Sequence, residues 1–268
     1  IISVNPKYGK NGRNYAVKAL TYEAAFSSGS EIVLDSTLSG ANLYILAGAP
    51  SQAVDLTFIL DGSYSEGVTA IRAGNFASGS KLIIIMVNGF DGQANGGTGG
   101  RGESVFYDTE TDSYSFSSAL NGGDGGTVFD CQGVDCDFYF SGATPSATYP
   151  VADGYMRAPS GGDGGFNHTF AGGVYTTGDG GTGGDGRTPG DGGVAGISFG
   201  GGGIVDGDTG VNGQIDGSGS GWGNDGLAND ASSGGLAGSG IIDSGATVNL
   251  FADGDLATRY INGNGDHP

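Results

Sequence analysis

Glycine recurs at every third residue through much of the second half of this chain. From Gly178 the sequence reads GDGGTGGDGRTPGDGGVAG, and positions 178, 181, 184, 190, 193 and 196 are all glycine, with only Arg187 out of phase. The same spacing appears at Gly96, Gly99 and Gly102 and again at Gly207, Gly210 and Gly213. A period of three is neither the 3.6 of an α-helix nor the 2 of a β-strand. It is the period of polyproline-II-type helices, which make no hydrogen bonds within themselves. A glycine on each turn lets such helices lie flush and bond backbone to backbone.

Forty-eight of the 59 glycines follow residue 95. Fixing each one costs roughly 0.5–1 kcal/mol more than fixing an alanine. Such a region orders only if nearly every backbone bond is made, at about 1 kcal/mol net for each. The persistent triplet phase, the scarcity of proline and the lack of interleaved serine predict order rather than a flexible linker. Collagen is excluded by the slipping register and by only seven prolines in the chain.

Charge divides at the same place. Residues 1–95 hold six Lys/Arg and seven Asp/Glu, a net of 6 − 7 = −1, whereas residues 96–268 hold four Arg and 22 Asp/Glu, a net of 4 − 22 = −18. This acidity disfavours nucleic acid and anionic membrane surfaces. The simplest reading of it is a solvated acidic face. The longest apolar run, Leu82–Val87, is far too short to span a bilayer, so no membrane insertion is expected. Starting at Ile1, the chain is expected to be a processed product or part of a longer polypeptide.

Residues 1–95 read as an all-β region, a sandwich or a β-solenoid. Glu31-Ile-Val-Leu, Leu43-Tyr-Ile-Leu, Val54 to Leu60 and Lys81 to Val87 are short runs rich in β-branched and aromatic residues, bounded by turn formers. Ile83-Ile84-Ile85 lacks alternation, which fits burial on both faces. Val17 to Phe26 is the sole helix candidate, so essentially no α-helix is expected. Val194 with Ile197, Ile204-Val205 and Ile241-Ile242 punctuate the glycine runs and are expected to seal the edges of a stack. Cys131 and Cys136 are close enough for a local disulfide, with two buried free thiols as the alternative.

Enzymatic chemistry is not expected. His168 and His267 are the only histidines, and no Gly-x-Ser-x-Gly elbow feeds a helix; Gly217-Ser-Gly-Ser-Gly-Trp is low complexity. A phosphate-binding loop needs Gly-x4-Gly-Lys, and the last lysine is Lys81. Carboxylate pairs are too numerous to single out a glycosidase dyad. No cofactor is expected. Calcium is the one ion the pattern touches: Asp206-Gly-Asp-Thr-Gly and Asn262-Gly-Asn-Gly-Asp resemble fragments of oxygen-ligand loops, although solvated turns explain both.

The glycine runs are interrupted by stretches carrying aromatics, and exposed loops on a rigid scaffold are where recognition concentrates. The candidate binding residues are Tyr107, Tyr114, Phe116, Tyr149, Tyr155, Phe166, His168, Phe170, Tyr175 and Trp222, with Phe106 beside them. Packing at the bundle edge is the competing role for many of them. Phe138 and Phe140 alternate as in a strand and are assigned to packing.

Three stretches carry a resemblance. The first is Leu56-Thr-Phe-Ile-Leu-Asp-Gly-Ser, then Ala70-Ile-Arg-Ala-Gly-Asn-Phe-Ala-Ser-Gly-Ser-Lys-Leu-Ile-Ile-Ile-Met-Val-Asn-Gly, leading into Gly96-Gly-Thr-Gly-Gly-Arg-Gly. The second is Gly122-Gly-Asp-Gly-Gly-Thr-Val-Phe-Asp, Cys136-Asp-Phe-Tyr-Phe, Gly154-Tyr-Met-Arg-Ala and Gly161-Gly-Asp-Gly-Gly. The third is Thr247-Val-Asn-Leu-Phe-Ala-Asp-Gly-Asp-Leu-Ala-Thr-Arg-Tyr-Ile-Asn. Over about residues 54–262 the chain resembles the glycine-rich C-terminal modules of tailed-phage receptor-binding proteins, found on central tail-tip proteins and on T-even-like tail-fibre adhesins.

The resemblance implies a β-rich attachment or shaft domain over 1–95. A polyglycine-II helix bundle with protruding receptor-binding loops and a closing C-terminal strand would then occupy 96–268. It implies a virion tail tip, outside the cell, and a host outer-membrane protein or surface glycan as receptor. Other tail proteins are implied as partners, and a homotrimer is allowed. A secreted glycine-rich structural or filament protein, or a Ca²⁺-binding extracellular β-solenoid, is the alternative class.

Overall fold

The computed structural model describes residues 26–35, 40–65, 69–157, 159–183, 190–200, 203–211, 227–229, 232–253 and 261–262. These residues are nearly all β or extended, with one single-turn helix among them. The first elements are β1 (Ser30–Asp35), β2 (Ala41–Asn42), α1 (Leu43–Leu46), β3 (Asp55–Ser65), β4 (Thr69–Arg72) and β5 (Lys81–Gln93). A hairpin of β6 (Ser104–Asp108) and β7 (Ser113–Ser117) follows, then β8 (Thr127–Asp130) and β9 (Asp135–Tyr139). Next come a small hairpin of β10 (Ser141–Ala143) and β11 (Val151–Asp153), then β12 (Tyr155–Arg157). The last are β13 (Thr169–Ala171), β14 (Val174–Thr176), β15 (Ser198–Phe199), β16 (Ile204–Val205), β17 (Ile241–Ile242), β18 (Val248–Phe251) and β19 (Ile261–Asn262).

The chain coils between two sheets. One runs β1-β3-β5-β9-β18, with β12 and β19 continuing from the C-terminal end of β5, and the other runs β2-β4-β8-β17; every pairing in both is parallel. Each pass lays one strand on each sheet and advances one rung. The sheets therefore draw strands from both sides of residue 95. Leu56, Phe58, Leu60, Leu82, Ile84, Met86, Cys136 and Phe138 face Ile71, Phe129 and Ile241 in one buried cluster. Phe129 meets Phe138 edge-on at 4.9 Å. The outer face of the first sheet is covered as well: Ile59, Ile85 and Val87 pack with Ala152 of β11 and with Tyr149. Alternation is thus lost in the Ile83-Ile84-Ile85 run because both faces are covered.

Two expectations fail here. Leu43-Tyr-Ile-Leu is a helical turn, not a strand. The Asn42 side chain accepts from the Ile45 amide at 3.2 Å and caps it, and a four-residue apolar run carries no period that separates the two states. Val194 and Ile197 seal nothing: they are 58% and 52% exposed, as is Val205 at 53%, and the inward positions beside them are Gly193 and Gly196, where even a Cβ would run into backbone. Ile241 belongs to the β core instead. The helix candidate Val17–Phe26 lies, apart from Phe26, outside the described residues. Cys131 and Cys136 are buried free thiols, with the Cys136 thiol donating to the Val134 carbonyl at 3.2 Å. The neighbouring Cys131 and burial together push the Cys136 pKa up, keeping it a thiol. Phe138 and Phe140 are core residues.

The glycine-rich segments are joined by main-chain hydrogen bonds at a spacing of three. The amides of Gly97, Gly100 and Glu103 donate to the carbonyls of Ser160, Asp163 and Phe166 at 2.8–2.9 Å. Those of Gly99, Gly102 and Val105 donate to Asp191, Val194 and Ile197. In return, residues 95–103 accept from Leu120, Gly123 and Gly126 on one side and from Gly178 and Gly181 on another. The segment 95–103 is thus bonded to four neighbours. Rising partner numbers make 159–166 and 190–197 parallel to it, and falling ones make 118–126 and 177–183 antiparallel.

Space, not backbone conformation, demands glycine here. None of Gly97, Gly99, Gly100, Gly162 or Gly193 has a left-handed φ. A Cβ at Gly193 would run into the Gly100 carbonyl, and one at Gly97 into that of Gly123. Acid side chains serve the same network from outside. Asp124 accepts from the Leu236 amide at 2.8 Å, Asp163 from Leu227 at 2.8 Å and Asp179 from Asp208 at 2.7 Å. Part of the acidity that reads as a solvated face therefore clips amides left unpaired at the periphery.

The network runs into the sheets without a change of register. Asn121 and Asp124 partner residues 112 further on, as do Asp135 of β9 and the whole β9–β18 pairing. Gly193→Ala is expected to destabilise the fold by on the order of 3 kcal/mol or more, whereas exposed Asp191→Ala stays within about 0.5 kcal/mol. Chemical unfolding of the two variants reads the difference.

Candidate functional site

Two hairpins and two short strands stand at one end of the glycine segments. Segments 95–103, 159–166 and 190–197 are mutually parallel; the first leads into the hairpin β6–β7, the second into the hairpin β13–β14 and the third into β15. The antiparallel segments 118–126 and 177–183 carry the two hairpins back toward the sheets. β15 pairs with β6 and β16 with β14, both in parallel, so each hairpin is extended to three strands.

Aromatic side chains from the two hairpins make one continuous cluster. Tyr107 lies 4.9 Å from Tyr114, and Tyr114 lies 4.4 Å from Tyr175, ring centre to ring centre. Phe170 contacts Tyr175 at 4.5 Å. Phe116 stacks on the His168 imidazole at 4.2 Å with the planes 10° apart. Tilted and offset contacts of this kind add about 0.5–1.5 kcal/mol each beyond area burial. The cluster still faces solvent, with Phe116 43% and Phe170 59% exposed.

Glu103 fastens the hairpins to the scaffold. Its backbone lies in the glycine network, accepting from Gly178 and donating to Phe166. Its carboxylate accepts from the His168 amide at 3.0 Å and pairs with His168 Nδ1 at 2.8 Å. The imidazole is thereby held flat against Phe116. The β6–β7 turn is ordered by its own acids. Asp108 accepts from the Thr111 and Glu110 amides, and hydrogen bonds from Thr111 and Glu110 hold its carboxyl below the usual range. The Tyr107 hydroxyl donates to Asp112 at 2.7 Å, which raises the tyrosine pKa.

Six of the ten candidate residues meet in this cluster: Tyr107, Tyr114, Phe116, His168, Phe170 and Tyr175. Phe166 is exposed where segment 159–166 leads into β13, near the cluster in sequence but outside its ring contacts. Tyr149 and Tyr155 lie elsewhere. Tyr149 packs on the outer face of the first sheet, and Tyr155 sits in β12 beneath the Arg157 guanidinium at 4.7 Å. Trp222 lies outside the described residues.

Glu103 and Phe199 were missed by sequence reasoning. Phe199 is 69% exposed on β15, paired in register with Phe106. It could have been found as the lone aromatic breaking the run Gly196-Ile-Ser-Phe-Gly200. Nothing local marks Glu103, whose partner lies 65 residues away.

Among the described residues, no group of three or more His, Cys, Asp or Glu side chains could hold a metal, and no helix is long and apolar enough to cross a membrane. No protein-family model, curated protein or solved structure matches the chain.

Removing the Asp112 carboxylate should lower the Tyr107 pKa, since that group favours the protonated phenol through its hydrogen bond and its charge. Ultraviolet difference titration of Asp112→Ala against the parent chain checks this, and an unmoved tyrosine titration would exclude the contact.

Proposed function

We propose that this chain is the receptor-binding module of a tailed-phage tail tip, an adhesin that recognises a host outer-membrane protein or surface glycan without catalysis. In this reading, the extended segments with a three-residue bonding period are polyglycine-II helices. A side-by-side bundle of such helices is rigid because each is braced by several neighbours. At roughly 3 Å per residue, a segment such as 95–103 holds its hairpin about 25 Å from the β core. The carrying observation is the convergence of the hairpins on one end with a continuous, solvent-facing aromatic surface. Rigid aromatic residues supply large contact area at small entropic cost, which is what a binding tip needs. The parallel sheets then serve as the attachment end, located in the virion and joined to other tail proteins.

Fluorescently labelled chain should adsorb to a subset of a panel of Gram-negative cells. The double variant Phe116→Ala/Phe170→Ala is expected to lose at least about tenfold in adsorption, a hot-spot-sized effect, with the β fold retained by circular dichroism. A panel in which no cell binds the parent chain would reject the adhesin reading.

A further inference from the structure

The aromatic tip is ringed by acids. After residue 95 the only Lys or Arg residues are Arg101, Arg157, Arg187 and Arg259, so the hairpins 104–117 and 169–176 and the stretch 198–205 contain neither, and the one histidine in the cluster, His168, is paired with Glu103. Asp108, Glu110 and Asp112 crown the β6–β7 turn, all exposed. Asp206 and Asp208, also exposed, follow β16 directly. Asp108 and Asp112 are occupied within the turn, while Glu110 projects from its apex. Faces of Tyr and Phe lie within the same hairpins, held by ring contacts and by Glu103.

A surface of this composition selects strongly among partners. Aromatic faces attract an ammonium or guanidinium group through the ring quadrupole, by roughly 0.5–1 kcal/mol at exposed sites and more when desolvated. Carboxylates around them steer a cation in and repel an anion. Phosphate- and carboxylate-bearing polysaccharides therefore meet a barrier at this tip, and a basic protein loop meets none.

We infer that the tip accepts a lysine- or arginine-bearing loop of a host surface protein, its cation seated on the Tyr114, Phe116, Phe170 and Tyr175 faces and its flanks met by the acids of the hairpin turns. This rests on the adhesin reading and chooses between its two receptor classes.

The test uses the full chain titrated calorimetrically with two defined probes: a short peptide of arginines separated by Gly-Ser spacers, and a neutral glucan oligosaccharide. The peptide is expected to bind. Phe116→Ala/Phe170→Ala should weaken it at least about tenfold at unchanged net charge, and Glu110→Lys should weaken it several-fold. The glucan is expected not to bind. Equal peptide affinity in all three proteins would mean general attraction to an acidic molecule and would overturn the inference. Binding of the glucan that the aromatic double variant abolishes would overturn it in favour of a glycan receptor, while leaving the adhesin reading intact.

Discussion

The amide-to-carbonyl bond between neighbouring glycine segments, repeated every third residue, is the constraint on which the rest of this molecule depends. Along it, backbones come closer than a Cβ permits, as at Gly193 against Gly100 and Gly97 against Gly123. Among the glycine segments the interior is therefore largely main chain. Apart from small buried residues such as Ser160, Thr177 and Ser232, side chains appear outside, where Asp124, Asp163 and Asp179 close off peripheral amides. Val194 and Ile197 stand exposed for the same reason.

The parallel sheets and the glycine segments solve different problems with one register. In the sheets a conventional apolar core, built around Phe58, Ile84, Phe129 and Phe138, stabilises each rung. The glycine segments depart from those rungs as insertions between β5 and β8 and between β9 and β17, and the 112-residue offset carries through both regions. A rung that is fixed in the core thereby fixes the segment that extends from it. The hairpins inherit that placement, and Glu103 transmits it to His168 by two contacts, one to its amide and one to its ring. On the proposed reading, recognition is located where the scaffold is farthest from the core and still rigid.

Much of this was legible in the residues. The strands β1, β3 and β5 follow from β-branched runs with turn formers at their ends, and the triplet glycine spacing announced a bonding period of three. The aromatic interruptions contained the rings that meet at the tip. Other features were hidden for identifiable reasons. Leu43–Leu46 is too short for its apolar pattern to distinguish a helical turn from a strand, and the deciding contact is the Asn42 cap. Tyr149 was placed with the tip aromatics but covers the outer sheet face, because the β10–β11 hairpin whose loop carries it folds back over β5. Glu103 reads as one acid among 29. Its role arises only when segments distant in sequence are brought side by side.

The central claim is most directly tested by residue-resolved amide hydrogen exchange across residues 97–105. The amides of Gly97, Gly99, Gly100, Gly102, Glu103 and Val105 donate to neighbouring segments, whereas those of Thr98 and Arg101 donate to no other backbone among the described residues. Slow exchange at two positions in every three, with fast exchange at Thr98 and Arg101, is the predicted result. Uniformly fast exchange, or protection alternating with a period of two, would contradict the account.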